Sequence, residues 1–267
     1  MPRATLLEGE IDLDKLENAF CEIVKMHEAL RTSFEVVEGE PKQRIQENAE
    51  VEIKYSVLDG DLFPNSTGEP AAEFIHLIDE FITPFDLSKA PLVRIMVIRL
   101  RSDKHVLLTD MHHLISDGYS VSIMLNELSK LYQGQQIQKN RIQYKDFAGW
   151  QNEFLKTSAA SKQEEYWLDI LSGDLPVLNM PTNFPRPLMQ SFEGDCFIFE
   201  GGKELKQRLD KLCLETDTTL FMVLSAAFSI LLSKYSSQQD IIVGLPILGR
   251  THSDLKIPSA CLPILLQ

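Results

Sequence analysis

Positive charge is scarce in this chain. It carries 26 Lys and Arg against 39 Asp and Glu over 267 residues, a net charge of −13. Phosphate binding needs a clustered basic surface, so nucleic acid is not an expected partner. Cysteine is scarce too. Cys21, Cys196, Cys213 and Cys261 stand far apart with no C-x-x-C pairing. Reduced, mostly buried thiols in a cytoplasmic protein are expected from that spacing. No apolar run is long enough to cross a bilayer. The most apolar, residues 220–232, is too short and is interrupted by Ser225 and Ser229, so it reads as a buried helix. No targeting segment stands before the first apolar residues, and no internal repeat is visible. With 44 % hydrophobic and 24 % charged residues, the length allows one large domain or two modest ones.

What the chain does have is a clear succession of helix and strand patterns. Asp12 is placed to cap a helix whose apolar face is Leu13, Leu16, Phe20, Ile23, Val24, His27 and Leu30. Residues 34–37 and 42–45 read as strands, joined by a hairpin connection that uses Gly39 and Pro41. Residues 51–57 alternate as a further strand, and residues 59–69 form a polar loop. A short helix follows, with Phe74, Leu77, Ile78 and Phe81 on one side, and Pro84-Phe85-Asp86-Leu87-Ser88 breaks it. Residues 92–100 are rich in branched side chains and predict a strand. Arg101-Ser102-Asp103 turns that strand into the next, giving an antiparallel hairpin in the core.

Val121, Met124, Leu125, Leu128 and Leu131 then mark an amphipathic helix ending near Gly134. Residues 144–155 and 163–171 predict two more helices. Residues 175–187 hold Pro176, Pro181, Pro185 and Pro187, so this stretch is extended and semi-rigid. The main boundary falls there: an N-terminal lobe over 1–174, a connector over 175–190, and a second region over 191–267. That region should contain a strand at 196–199, a helix at 203–214, the apolar helix and a strand at 241–243.

Residues 104–120 are where strand, titratable side chains and turn converge. If the strand persists to His113, then His105, Leu107, Thr109, Met111 and His113 share one face, and His112 points to the other. The two histidines would not act side by side: one faces a cavity and the other packs inside. Imidazole suits a site that holds or exchanges a proton near neutral pH. Gly118, after Asp117, can take a backbone conformation closed to most residues, and its amide can approach a ligand closely. Three readings compete. A histidine acts on an acyl group near an amide that stabilises the oxyanion. His105, His112, His113 and Asp117 bind a metal, which the split between two faces opposes. Or the histidines are structural. The spacing leaves open which histidine is the chemical one. Counted from His112 it resembles glycerolipid acyltransferases, and counted from His113 the chloramphenicol acetyltransferase type.

His112-His113-Leu114-Ile115-Ser116-Asp117-Gly118 resembles the HHxxxDG signature of condensation domains from nonribosomal peptide synthetases. Three further segments resemble that family in the same order. Residues 26–34 are similar to its R-H-E-x-L-R-T-x-F segment, with Met26 for the first Arg; residues 144–150 to Y-x-D-F-A-x-W; and residues 242–250 to I-V-G-x-P-x-x-G-R. The resemblance implies an α/β fold of the α+β sandwich kind. One chloramphenicol acetyltransferase-like lobe would carry a mixed or antiparallel sheet flanked by helices, followed by the start of a second lobe.

It implies joining of an upstream carrier-bound aminoacyl or peptidyl thioester to the amine of a downstream one. No cofactor would be bound directly, because both substrates ride on the phosphopantetheine of donor and acceptor peptidyl carrier proteins, with an adenylation domain as neighbour. Carried over, His113 is catalytic, while His112 and Asp117 are structural. Gly118 offers its amide near the reacting carbonyl, and Ser120 lies at the substrate. Arg31 is the expected ion-pair partner of Asp117. The Ile115-Ser116-Asp117-Gly118 form is similar to domains that take an L-configured donor, and the two histidines exclude heterocyclisation domains.

The chain departs from the family at both ends: the S-x-x-Q-x-x-x-W-like start and the F-V-N-T-x-x-L-R-like strand are absent. A fragment with little activity alone is therefore expected, and its apolar C-terminal surface would favour oligomers. A non-catalytic carrier-binding module and a coenzyme A-dependent acyltransferase are the alternatives.

Overall fold

The computed structural model describes residues 1–58, 60, 62, 70–138, 142–191, 194–247 and 265–266. It divides into two compact units, Met1–Ala160 with Ile247–Leu265, and Ser161–Pro246 with Leu266–Gln267. In the first unit the elements are β1 (Pro2–Glu8), α1 (Leu13–Met26), β2 (Thr32–Val37), β3 (Glu40–Ile45), β4 (Ile53–Val57), α2 (Ala72–Phe81), β5 (Val93–Arg101), β6 (Lys104–Met111), α3 (Gly118–Tyr132) and α4 (Tyr144–Phe154). Then come α5 (Ser158–Ile170), α6 (Lys203–Thr216) and α7 (Leu220–Ser236).

The sheet has the order β1-β6-β5-β4. β6 runs antiparallel to both β1 and β5, and β4 joins β5 in parallel, so the sheet is mixed. β5 and β6 are central strands covered on both faces, which is why they are almost continuously apolar. Ile95, Val97, Leu107 and Met111 pack with Leu16, Phe20 and Ile23 of α1 and Met124 and Leu128 of α3. Met96, Ile98, Val106 and Leu108 point the other way, onto Phe74 and Phe81 of α2. Each fully buried aliphatic side chain contributes about 1.5–3 kcal/mol, so β6 is held by one of the strongest hydrophobic contacts in the unit. The predicted core hairpin is β5–β6.

Asp12 does cap α1, accepting from the Lys15 amide at 3.0 Å. The helix is shorter than its apolar pattern, however. It ends at Met26, where His27 is the C-cap, and Glu28–Arg31 is a single 3-10 turn. The β2–β3 hairpin turns on Glu38 and Gly39, with φ of 54° and 82°. Two positive φ values in a two-residue loop match the right-handed twist of the strands. Pro41 is not part of the connection; it sits in β3 opposite Val36.

In the second unit the sequence pattern misleads in three places. Residues 196–199 have no regular structure and pair with no strand among the described residues, and Phe197, Ile198 and Phe199 are exposed. Residues 241–243 form no strand; a two-residue strand starts instead at Pro246. The apolar helix is α7, capped by Thr219, but it is not buried. Phe221 is 59 % exposed and Ile230 60 %, and only Leu232 is buried. Apolar composition all round one helix signals a need for cover, which no described residue of the unit supplies. The thiols follow suit: Cys196 is exposed, and Cys21 and Cys213 are only half-buried. Cys261, most of the 59–69 loop and the end of the fourth motif lie outside the described residues. Among the described residues, no single helix is long and apolar enough to cross a membrane.

Candidate active site

The turn between β6 and α3 is built by backbone bookkeeping around one residue. β6 ends at Met111, and the His112 amide donates to the Leu92 carbonyl at 3.0 Å. The His112 carbonyl then accepts from the Ile115 amide at 3.1 Å and from the Ser116 hydroxyl at 3.2 Å. Its imidazole Nδ1 accepts from the Leu114 amide at 3.1 Å. The strand therefore stops two residues short of His113, and the pleat is not what separates the histidines. The turn does so: His112 is half-buried against the edge of Phe85, while His113 is exposed.

The accepting Nδ1 places the proton of neutral His112 on Nε2. Burial pushes the His112 pKa below its ordinary value, and the positive charges of the chain's amino group and of His113 push the same way. The Asp110 carboxylate opposes them. The net effect favours the uncharged His112 ring.

Asp117 is the N-cap of α3. Its Oδ1 accepts from the Ser120 amide at 2.6 Å and from the Ser120 hydroxyl, while its own amide donates to Ser120 Oγ at 3.2 Å. This reciprocal box satisfies amides that the helix cannot serve itself. Ser120, expected at the substrate, is 3 % exposed with its hydroxyl committed to Asp117. Gly118 is the first residue of α3. It takes no left-handed conformation, and a Cβ added there would meet nothing within 4 Å. The freedom of glycine is not used here by the fold itself; open space lies where a side chain would begin at the first residue of the helix.

The expected ion pair between Arg31 and Asp117 does not form. The Arg31 guanidinium binds the Gln46 carbonyl and lies 3.8 Å from Glu28. The Asp117 carboxylate is turned instead into its own helix. His105 does not join the site either, because it lies about 20 Å away along the strand at roughly 3.4 Å per residue. That distance removes the four-residue metal set.

Two of the resembling segments, 26–34 and 144–150, dock on each other, and the first also reaches α3. His27 Nε2 and Glu127 Oε2 of α3 are 2.6 Å apart, and both residues are buried. Gln143 donates to the Met26 carbonyl at 3.2 Å and accepts from the Glu28 amide at 3.1 Å. Lys145 pairs with Glu28 at 2.8 Å. Sequence reasoning missed Glu127 and Gln143. A lone carboxylate on an amphipathic helix and a polar residue before one read as solvated positions. Only the pairing partner, a hundred residues away in the case of Glu127, reveals otherwise.

A mixed sheet sheathed by α1 and α3 on one face and α2 on the other, with a histidine turn at the end of its central strand, defines a chloramphenicol acetyltransferase-like lobe. The fold is shared with the condensation domain of the Monacolin K polyketide synthase, at a TM-score of 0.82 and 18 % identity over 97 % of this chain and 60 % of that one. It is also shared with the X-domain from teicoplanin biosynthesis, at 0.81 and 21 % over 98 % and 58 %. The particular family follows from sequence: the Condensation domain family matches residues 1–258, and the chain belongs to it. Gramicidin S synthase 2 of Brevibacillus brevis is 48 % identical over 256 residues, which is 96 % of this chain and 6 % of that protein. Surfactin synthase subunit 1 of Bacillus subtilis (strain 168) is 47 % identical over 257 residues, 96 % of this chain and 7 % of that protein. The chain thus spans a small part of the curated relatives it matches.

Proposed function

We propose that this chain carries the condensation site of a cytoplasmic nonribosomal peptide synthetase. Its donor is an aminoacyl or peptidyl thioester, L-configured at the reacting residue, on one peptidyl carrier protein. Its acceptor is the amine of an aminoacyl thioester on a second carrier. Both are presented on phosphopantetheine arms, next to an adenylation domain. The observation that carries the reading is the turn itself. An exposed His113 is followed by a capped helix N-terminus that begins at the exposed Gly118, where a Cβ would meet nothing within 4 Å.

The chemistry balances without another reagent. The acceptor nitrogen attacks the thioester carbonyl, a C–N bond forms, and the C–S bond breaks to release the donor carrier's thiol. His113 accepts, or holds by hydrogen bond, the proton that the nitrogen loses, and the thiolate takes up a proton on leaving. Negative charge gathers on the carbonyl oxygen in between. The Gly118 amide and the positive end of α3 stabilise it there. His112 and Asp117 hold the turn, Ser120 closes the cap, and Arg31 with Glu28 braces the neighbouring segment.

Two loaded carrier proteins mixed with the complete condensation domain containing this chain test this, with the dipeptidyl thioester followed by mass spectrometry. Product that disappears on His113→Ala supports it. Carrier binding without product favours a non-catalytic module, and acetyl transfer from coenzyme A to a small amine would favour the acyltransferase alternative.

A further inference from the structure

Residues 82–89 carry a feature that the proposed chemistry leaves unused. This segment has no regular structure and is exposed except at Phe85, which is half-buried. Phe85 is gripped on two sides. The Arg94 guanidinium lies 3.7 Å from its ring centroid, over the face. The His112 ring meets it at 6.0 Å and an interplanar angle of 86°, edge to face. Arg94 is itself fixed by the Phe81 carbonyl at 3.0 Å and the Thr83 hydroxyl at 2.8 Å, and lies 3.6 Å from the buried Asp110 carboxylate. The segment is pinned at its other end, where the Phe34 amide donates to the Leu87 carbonyl at 2.7 Å. Between the pins, Asp86 closes a turn on the Ser88 amide and hydroxyl.

We infer that Phe85 and Arg94 are positioning residues for the histidine turn. Among the described residues, Phe85 is the one aromatic ring packed against His112, edge to face. The His112 Nδ1 and carbonyl carry the turn that presents His113. Ring rotation at His112 would release the Leu114 amide and shift His113 with it. A cation on one face of Phe85 and an imidazole against it stop that rotation, through the quadrupole of the benzene ring. Leucine fills similar space without a quadrupole, and lysine keeps the charge near Asp110 without the planar stack.

This inference rests on the condensation reading only for its activity arm. The first measurement is independent of activity: histidine side-chain resonances of the labelled chain, assigned with His112→Asn. Phe85→Leu and Arg94→Lys should move the His112 signals and leave the far end of β6, at His105, unchanged, while Phe85→Tyr should restore the parent shifts. In the carrier assay, Phe85→Leu should lower kcat about tenfold or more, as small misplacements of a reacting group do, with acceptor KM within about twofold. Phe85→Tyr should recover most of it. Parent-like His112 signals in both Phe85→Leu and Arg94→Lys overturn the inference. A complete parent domain without condensation activity overturns the condensation reading alone, and the resonances then decide this one.

Discussion

Asp117 is expected to act through stability and not through chemistry, and the size of the effect can be worked out. Its carboxylate takes two hydrogen bonds from Ser120, and both residues are buried, at 4 % and 3 % exposure. Removing an N-cap costs about 1–2 kcal/mol. Leaving the Ser120 amide and hydroxyl buried without their acceptor adds a penalty of the same order. Asp117→Ala should therefore lose about 2–4 kcal/mol, allowing for overlap between the two terms. Asp117→Asn keeps an oxygen in the same place and should lose no more than about 1 kcal/mol. Urea unfolding followed by circular dichroism measures both. With a slope of about 2–3 kcal/mol per molar, the alanine midpoint falls by roughly 1 M and the asparagine midpoint by far less. His113→Ala, at an exposed position, should move the midpoint less than Asp117→Ala does. An alanine variant within about 0.5 kcal/mol of the parent would refute the capping argument. An asparagine variant as unstable as alanine would show that charge, not the hydrogen bonds, matters at this position.

Other outcomes follow from the same structure. The buried His27–Glu127 pair should show a coupling of about 1 kcal/mol or more in a double-mutant cycle of alanine variants; additive effects would mean that the 2.6 Å contact is not made in solution. The depressed His112 pKa has a definite sign: the unfolded chain takes up the proton first as pH falls below about 6.5. Its contribution is complete above that pH and is lost as pH drops toward the folded value, so stability should fall less steeply over that range in His112→Asn than in the parent. Gly118→Ala has room in the fold and should melt like the parent, while the condensation rate drops because the methyl group stands where substrate approaches. The exposed apolar surface of α7 should drive concentration-dependent self-association in sedimentation, reduced by Phe221→Lys; a monomer at high concentration would contradict it.

Local patterns in the sequence were enough to find the elements around the site. The Asp12 cap, the branched run of β5 and the period of α3 depend on neighbours a few residues away, and each was legible. So was the histidine turn, because the strand-to-helix change at residues 111–118 leaves its mark in the residue order; the sheet class came only from the resemblance to a family. The limits were equally local. Helix α1 reads on past Met26 because His27 and Leu30 keep its apolar spacing, yet the chain there tightens into a 3-10 turn. There Gln143 meets the Met26 carbonyl and the Glu28 amide, and His27 turns to Glu127.

The sequence by itself determined most helices of the chain, the β5–β6 hairpin, the family and the residues offered for chemistry. Tertiary structure decided who partners whom: Asp117 with Ser120 and not with Arg31, Phe85 with Arg94 and His112, and α7 left exposed among the described residues. The physical reason is range. Capping and periodicity act over three or four residues and are written in adjacent letters. An ion pair or a ring stack is chosen by which side chains folding brings within a few ångströms, and no local pattern encodes that distance.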